Sequence, residues 1–328
     1  MARKVMKADA DLMAKEAKLI MDSSAGKFNE DDSMFIAQEL TYLRSRALEV
    51  QKQPLNAFRV FPQATDVPAG AETALQLVYD TVGMAEIVSN YADDLPRADA
   101  LADTIAAKVY TVGDSYGYNY NEILNARMAN VNLAAWKALA ARRGVDIKLN
   151  RVAWFGDSAH GITGFLGNAN ITSVTIPADG TGSSKTFASK DADKIIRDMN
   201  SIINEISTAT NGVEMADTVC MAPAVYDLLE SMPKSQYSDR TVLEFLRGAH
   251  PSVTRWLKVG ELAGAGAGST DMVVAGVFRE EYIRFENPVR FDQLPVQPRN
   301  LEFVIPCVAR TLGVTVTVPT CFATAYGV

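Results

Sequence analysis

Residues 113–144 read GDSYGYNYNEILNARMANVNLAAWKALAARRG, and residues 150–168 read NRVAWFGDSAHGITGFLGN. The first stretch passes from Gly-punctuated aromatic sequence into a run rich in Ala, Leu, Asn, Lys and Arg, which marks a strand-to-helix junction. It predicts helix from Tyr120 to about Ala129 and again from Leu133 to Arg143, with Asn132 as a plausible N-cap. The run Ala140-Ala141-Arg142-Arg143 favours helix and is followed by Gly144 and β-branched Val145. This predicts that Gly144 closes the helix with a positive φ. Residues 151–155, RVAWF, then read as a buried strand.

Upstream, residues 57–115 read as extended. Ala57–Phe61 is a short strand stopped by Pro62, and Thr73–Asp80 alternates through Leu75, Leu77 and Tyr79. Met84–Tyr91 follows Gly83 as if across a hairpin turn or bulge, and Thr104–Val112 forms a further strand. Charge is concentrated here. Residues 66–104 carry Asp66, Glu72, Asp80, Glu86, Asp93, Asp94, Asp99 and Asp103 against Arg97 alone, which equals the net charge of −7 of the whole chain. Residues 132–151 carry Lys137, Arg142, Arg143, Lys148 and Arg151 against Asp146, a net +4. The pattern suits an acidic segment of one copy lying on a basic element of another. The acidic segment lacks a continuous core pattern and reads as a projecting two-stranded hairpin, a structure only marginally stable unless it lies on something.

Before the extended region, Val5, Leu12, Leu19 and Ile20 recur at helical spacing. A second helix is predicted from Asp31 or Asp32 to about Gln51, with Phe35, Ile36, Leu40, Leu43 and Leu48 as its stripe. Each helix has one narrow apolar stripe, so the pair reads as an arm. Downstream, residues 161–188 are loop and short strand. Helices follow near 190–208, 223–232 and 239–248, then strand-like runs at 272–278, 281–286, 301–305 and 313–318. Helices and antiparallel strands without a regular βαβ alternation make the class α+β.

Composition bounds the function. The 328 residues are 48% hydrophobic and 22% charged, which excludes a largely disordered chain. The net charge excludes a wholesale basic nucleic-acid coat. No apolar run approaches the roughly 18 residues of a membrane span, and the N-terminus shows no h-region. Cys220, Cys307 and Cys321 are odd in number and far apart, which predicts free buried thiols in a reducing compartment. Gly113-Asp114-Ser115-Tyr116-Gly117 matches G-x-S-x-G, the basis of an alternative reading as a serine hydrolase using Ser115. That needs His160 or His250 as base and a parallel sheet beneath, and the plainer expectation is a strand-to-helix turn. Ser158 and His160 are too close in sequence to suggest a working pair. The run 263–270, AGAGAGST, lacks a phosphate-loop lysine and reads as a flexible loop. Adjacent carboxylates at Asp93-Asp94 and Glu280-Glu281 read as solvated charge. No catalytic set, cofactor or metal site is predicted, and assembly is what remains.

The order of these pieces resembles a tailed-bacteriophage major capsid protein of the Johnson, or Hong Kong 97-type, fold. The resemblance rests on Ser115 to Ala126, Phe155 to Asn168 and Arg310 to Pro319, within LEFVIPCVARTLGVTVTVP at 301–319. It implies an N-terminal arm at 1–55 and an E-loop hairpin at 56–105. It also implies a P-domain at 106–190 and 296–328, with a long spine helix within 119–143, and an A-domain at 191–295. Such a chain forms hexamers and pentamers of itself that close an icosahedral shell around double-stranded DNA, contacted non-specifically. Encapsulin compartments share the fold and are the runner-up. The E-loop lies over a neighbour's P-domain in such shells. The contact candidates are therefore Asp80, Glu86, Asp93, Asp94 and Asp99 facing Lys137, Arg142, Arg143, Lys148 and Arg151. With only about 55 residues before the extended region, the resemblance implies a separate scaffolding protein, or an early helix that does a reduced version of that job, beside a portal and a decoration or cement protein. It places the chain in the virion capsid, assembled in the host bacterial cytoplasm.

Overall fold

A computed structural model describes residues 52–83, 99–128, 133–237 and 239–328. The chain runs through α1 (Ala57–Val60), β1 (Gln63–Ala64), β2 (Thr73–Val82), β3 (Asp99–Lys108), β4 (Tyr110–Asn119), α2 (Tyr120–Met128) and α3 (Leu133–Phe155). Short strands β5 (Gly156–Asp157), β6 (Ile162–Thr163) and β7 (Thr172–Val174) precede α4 (Ala192–Ala209), β8 (Thr218–Met221), α5 (Pro223–Ser231), α6 (Val242–Ala249) and β9 (Arg255–Lys258). Then come β10 (Met272–Gly276), β11 (Ile283–Glu286), β12 (Val289–Gln293), β13 (Gln297–Arg299), β14 (Glu302–Thr311), β15 (Gly313–Val316) and β16 (Phe322–Tyr326). The predicted arm helices, Asn132 and Met84–Tyr91 lie outside the described residues.

The junction at Tyr120 stands where the sequence places it, but Gly144 does not end the helix. α3 passes through Gly144 to Phe155, so RVAWF is helical and not a strand. The reason is tertiary. Val145, Leu149, Val152 and Ala153 recur at i, i+4, i+7 and i+8, and all four are buried. Burying a Val or Leu is worth about 1.5–3 kcal/mol, against about 1 kcal/mol for Gly inside a helix. A Cβ at Gly144 would stand 3.0 Å from the exposed carboxylate Asp114 Oδ2 on β4. Ala57–Phe61 is likewise not a strand. Arg59 N and Val60 N both donate to Asn56 O, at 3.0 and 2.9 Å, and this one helical turn buries Ala57 and Val60.

β3 ends at Lys108 and β4 begins at Tyr110, so the single strand predicted over Thr104–Val112 is two. At the break, Val109 N donates to Glu72 O at 2.9 Å, and the chain changes partner from β2 to β14. β14 pairs along one edge with all ten residues of β4, from Thr311↔Tyr110 to Glu302↔Asn119. Its other edge is shared by β12 and β13. Gly113–Gly117 therefore lies mid-strand, opposite Val308 to Val304, and is neither a nucleophile elbow nor a turn. β2 pairs with β3, Thr73↔Lys108 to Val82↔Asp99.

A five-stranded sheet, β7-β16-β10-β8-β9, carries the largest part of the core. Every residue of β8 and β10 is buried, as expected for strands covered on both faces. α4 lays Ile195, Ile196, Met199, Ile202, Ile203 and Ile206 against β10 and β16. An aromatic hub joins distant segments: Phe61 lies 4.7 Å from Trp154 and 5.4 Å from Phe165, and Phe322 lies 5.5 Å from Phe165 and 5.3 Å from Phe278.

Two polar ties pin loops to this body. Glu261 accepts from Asn56 Nδ2 at 2.7 Å and Asn150 Nδ2 at 2.8 Å, while Asn150 Oδ1 accepts from Ala57 N at 2.9 Å. Lys190, wholly buried, donates to Asp198 Oδ2 at 2.6 Å and Pro177 O at 2.7 Å, and lies 3.1 Å from Asp179 Oδ1. Arg197 closes that cluster, reaching Asp198 at 2.6 Å and Asp179 at 2.7 Å. Its guanidinium is the main reason the Asp179 carboxyl is held down to about 2. All three cysteines are free and buried, and burial pushes the Cys220 thiol up to about 12.

Candidate assembly surfaces

The β2–β3 ladder of ten pairs spans about 33 Å at ~3.3 Å per residue. Its root is tied down. Arg310 of β14 donates to the carbonyls of Ala69 and Ala71, and Gln76 Nε2 meets Thr317 Oγ1 at 3.5 Å. Beyond the root one face is bare. Leu75, Leu77 and Tyr79 share it opposite Ala106, Thr104 and Ala102, and they are 70%, 65% and 72% exposed. A two-stranded ribbon presenting such side chains to water has too little buried surface to be stable alone.

A second apolar surface lies at the far end of the β4–β14 sheet. Tyr120, Leu124 and Met128 are exposed at i, i+4 and i+8 on α2, and Tyr120 N donates to the carbonyl of exposed Leu301 at 3.0 Å. On α3, Trp136, Leu139, Ile147 and Phe155 are exposed. Neither helix stripe stands out in the sequence as a surface, because the same spacing reads equally as core.

The ten charged candidates divide. Asp80 lies on β2 and exposed Asp99 begins β3, whereas Glu86, Asp93 and Asp94 lie outside the described residues. Three of the five cations on the basic side have partners inside their own chain. Lys137 pairs with Glu122 at 2.7 Å, donates to Gly117 O at 2.7 Å and sits 5.0 Å from the Tyr118 ring centroid. Lys148 pairs with Asp157 at 2.7 Å, and Arg143 donates to Gln53 O. The Lys148 ammonium, helped by His160 Nδ1 at 3.3 Å, holds the Asp157 carboxyl down to about 2. Arg142 and Arg151 remain exposed on α3.

Tyr110, Asp114, Lys148, Asp157 and His160 line a cleft of about 420 Å³ between β4 and α3. Ser115 does not line it, so no Ser–His constellation forms there.

Similarity to known proteins agrees with this geometry. The family model described as Major capsid protein matches residues 83–328. Among solved structures, the chain is similar to the capsid of Myoviridae phage XM1 at 17% identity and a TM-score of 0.75, over 89% of this chain and 98% of that one. It is similar to the capsid of an empty GTA particle at 14% identity and a TM-score of 0.62, over 92% and 99% of the two chains. A structure from Mycobacterium phage Bobi follows at 15% identity and a TM-score of 0.59, over 92% and 99%. No curated protein matches the chain. At these identities the likeness is one of fold, and the fold is the Hong Kong 97-type. The family match covers well over half of the sequence, so the chain belongs to the major capsid protein family and is a structural protein, not an enzyme.

Proposed function

We propose that the chain self-assembles into hexamers and pentamers that close an icosahedral phage head around double-stranded DNA. The observation that carries this reading is the β2–β3 ribbon. It is long, rooted at one end, and bears the exposed Leu75, Leu77 and Tyr79 on a face that the described residues leave bare. In an assembled shell that face lies on a neighbouring copy. The proposed organisation is an N-terminal arm at 1–55, an E-loop at 56–105, a P-domain at 106–190 and 296–328, and an A-domain at 191–295.

Affinity on this reading comes from the apolar faces, because exposed ion pairs contribute only ~0–1 kcal/mol each. Charge steers and sets register, and multiplicity does the rest, since each subunit touches several others at once. Of the basic candidates, Arg142 and Arg151 are the two on α3 still open to a neighbour. A separate scaffolding protein, a portal and a decoration protein are the proposed partners, and the shell is built in the host cytoplasm. The family match supports a phage shell over an encapsulin-like compartment.

Negative-stain microscopy with sedimentation of the purified protein tests this. Closed shells, rings or tubes are expected. A stable monomer at high concentration, across all salt and crowding conditions, overturns it.

A further inference from the structure

The acidic hairpin needs a cationic counterpart, and α3 supplies less of one than its charge suggests, since Lys137 and Lys148 are already paired with carboxylates of their own chain. Elsewhere, Arg59 of α1, Arg247 of α6 and Arg255 of β9 converge on one shallow cleft of about 520 Å³, with Thr254 and Trp256 between them. Among the described residues no Asp or Glu lines it. Arg255 donates to the Arg59 carbonyl at 2.6 Å and Arg247 to the Tyr226 hydroxyl at 2.9 Å, and neither neutral acceptor cancels a guanidinium charge. Three arginines with no carboxylate in the lining, on a protein of net −7, make an anion site.

A second observation selects the kind of anion. β9 is the last strand of the five-stranded sheet and pairs only with β8 among the described residues. Its other edge has no strand partner among the described residues, and the cleft runs along the same residues, 253–257. A strand edge beside guanidiniums suits an extended acidic polypeptide, which can both pair its backbone and seat its carboxylates. A DNA duplex offers phosphates but nothing to pair with a strand edge.

We propose that this cleft receives the acidic distal part of the hairpin of a second copy. Residues 80–103 carry Asp80, Glu86, Asp93, Asp94, Asp99 and Asp103 against Arg97 alone. The proposal rests on the assembly reading above and gives the hairpin a landing site on the edge of the β9 sheet. Arginine suits the role because each planar guanidinium can hold a carboxylate with two parallel hydrogen bonds.

The test titrates a fluorescent peptide of residues 80–103 into the purified protein and its Arg59→Glu/Arg247→Glu variant at low salt, with circular dichroism checking that both are folded. Arg255 is left in place because it braces α1. Binding should weaken by roughly tenfold or more in the variant, and assembly of that variant should slow. Adding Asp93→Lys/Asp94→Lys to the variant's own chain should restore assembly. Equal peptide binding by both proteins overturns the proposal, as does an assembly defect that the reversed hairpin leaves unrepaired. If a short DNA duplex binds the parent and not the variant while assembly is normal, the cleft is a nucleic-acid contact and the proposal again fails. The peptide readout needs no shells, so a protein that binds the peptide yet never assembles upholds the cleft and overturns the assembly reading alone.

Discussion

Lys190→Met tests whether the buried charge cluster is a structural tie. The ammonium donates to Asp198 Oδ2 and Pro177 O at 2.6 and 2.7 Å and lies 3.1 Å from Asp179 Oδ1, and its side chain is wholly buried. Methionine keeps much of the volume and removes the charge. Asp198 is then left buried with Arg197 on Oδ1 alone, and the Pro177 carbonyl loses its donor. Removing one member of a buried pair costs about 3–5 kcal/mol. Arg197 persists, so the lower end applies and the expected loss is about 3 kcal/mol. Urea unfolding under non-assembling conditions, followed by circular dichroism, measures it, provided the m-value is unchanged. A cycle with Asp198→Asn should show a coupling on the order of 1 kcal/mol or more, because the second change removes the stranded charge. A loss for Lys190→Met below ~1 kcal/mol, the range of a solvated surface pair, would refute the reasoning. So would strict additivity in the cycle.

Gly144→Ala should stabilise the protein by about 0.5–1 kcal/mol in the same assay, since the exposed Asp114 carboxylate can yield a few tenths of an ångström. A loss instead would show that the bond from Ser115 N, 2.8 Å long, pins Asp114. Asp157, held near 2 against an ordinary 3.8, contributes stability that is complete above the ordinary value and drains as pH falls toward 2. Thermal unfolding at stepped pH should show a shallower acid loss for Asp157→Asn than for the parent, and identical slopes would count against the pair. Residues 53–107 contain no lysine and Lys108 sits at the root of the hairpin opposite Thr73, so an isopeptide cross-link from the projecting part of the hairpin has no amine to attack with. Boiled particles should run as single 35.6 kDa chains on a reducing denaturing gel, and a ladder of oligomers would overturn this.

What could be read from the sequence was what neighbours in the chain decide. The Tyr120 junction shows in composition, and α4 shows in the spacing of Ile195, Met199, Ile202 and Ile206. Gly144 misled because a closing signal is local, whereas the burial of Val145, Leu149 and Val152 is not. Four-residue segments such as α1, β8 and β9 hold too few residues for a period to declare itself. Charge arithmetic counted cations without seeing their partners: Lys137 meets Glu122 across fifteen residues and Lys148 meets Asp157 across nine, separations that no helix-face rule would pair. The arginine cleft draws on positions 59, 247 and 255, brought together only by folding.

The burial of the sulfur atoms has a practical side. Thiol reagents attack thiolates, and Cys220, Cys307 and Cys321, all the cysteine the chain has, are at most 2% exposed. To a maleimide the folded subunit is chemically blank. A cysteine written in at Val213 or Tyr237, 80% and 91% exposed, becomes the single address at which each subunit can be labelled. Dyes, peptides or electron-dense tags could thus be attached once per subunit with no native residue first removed.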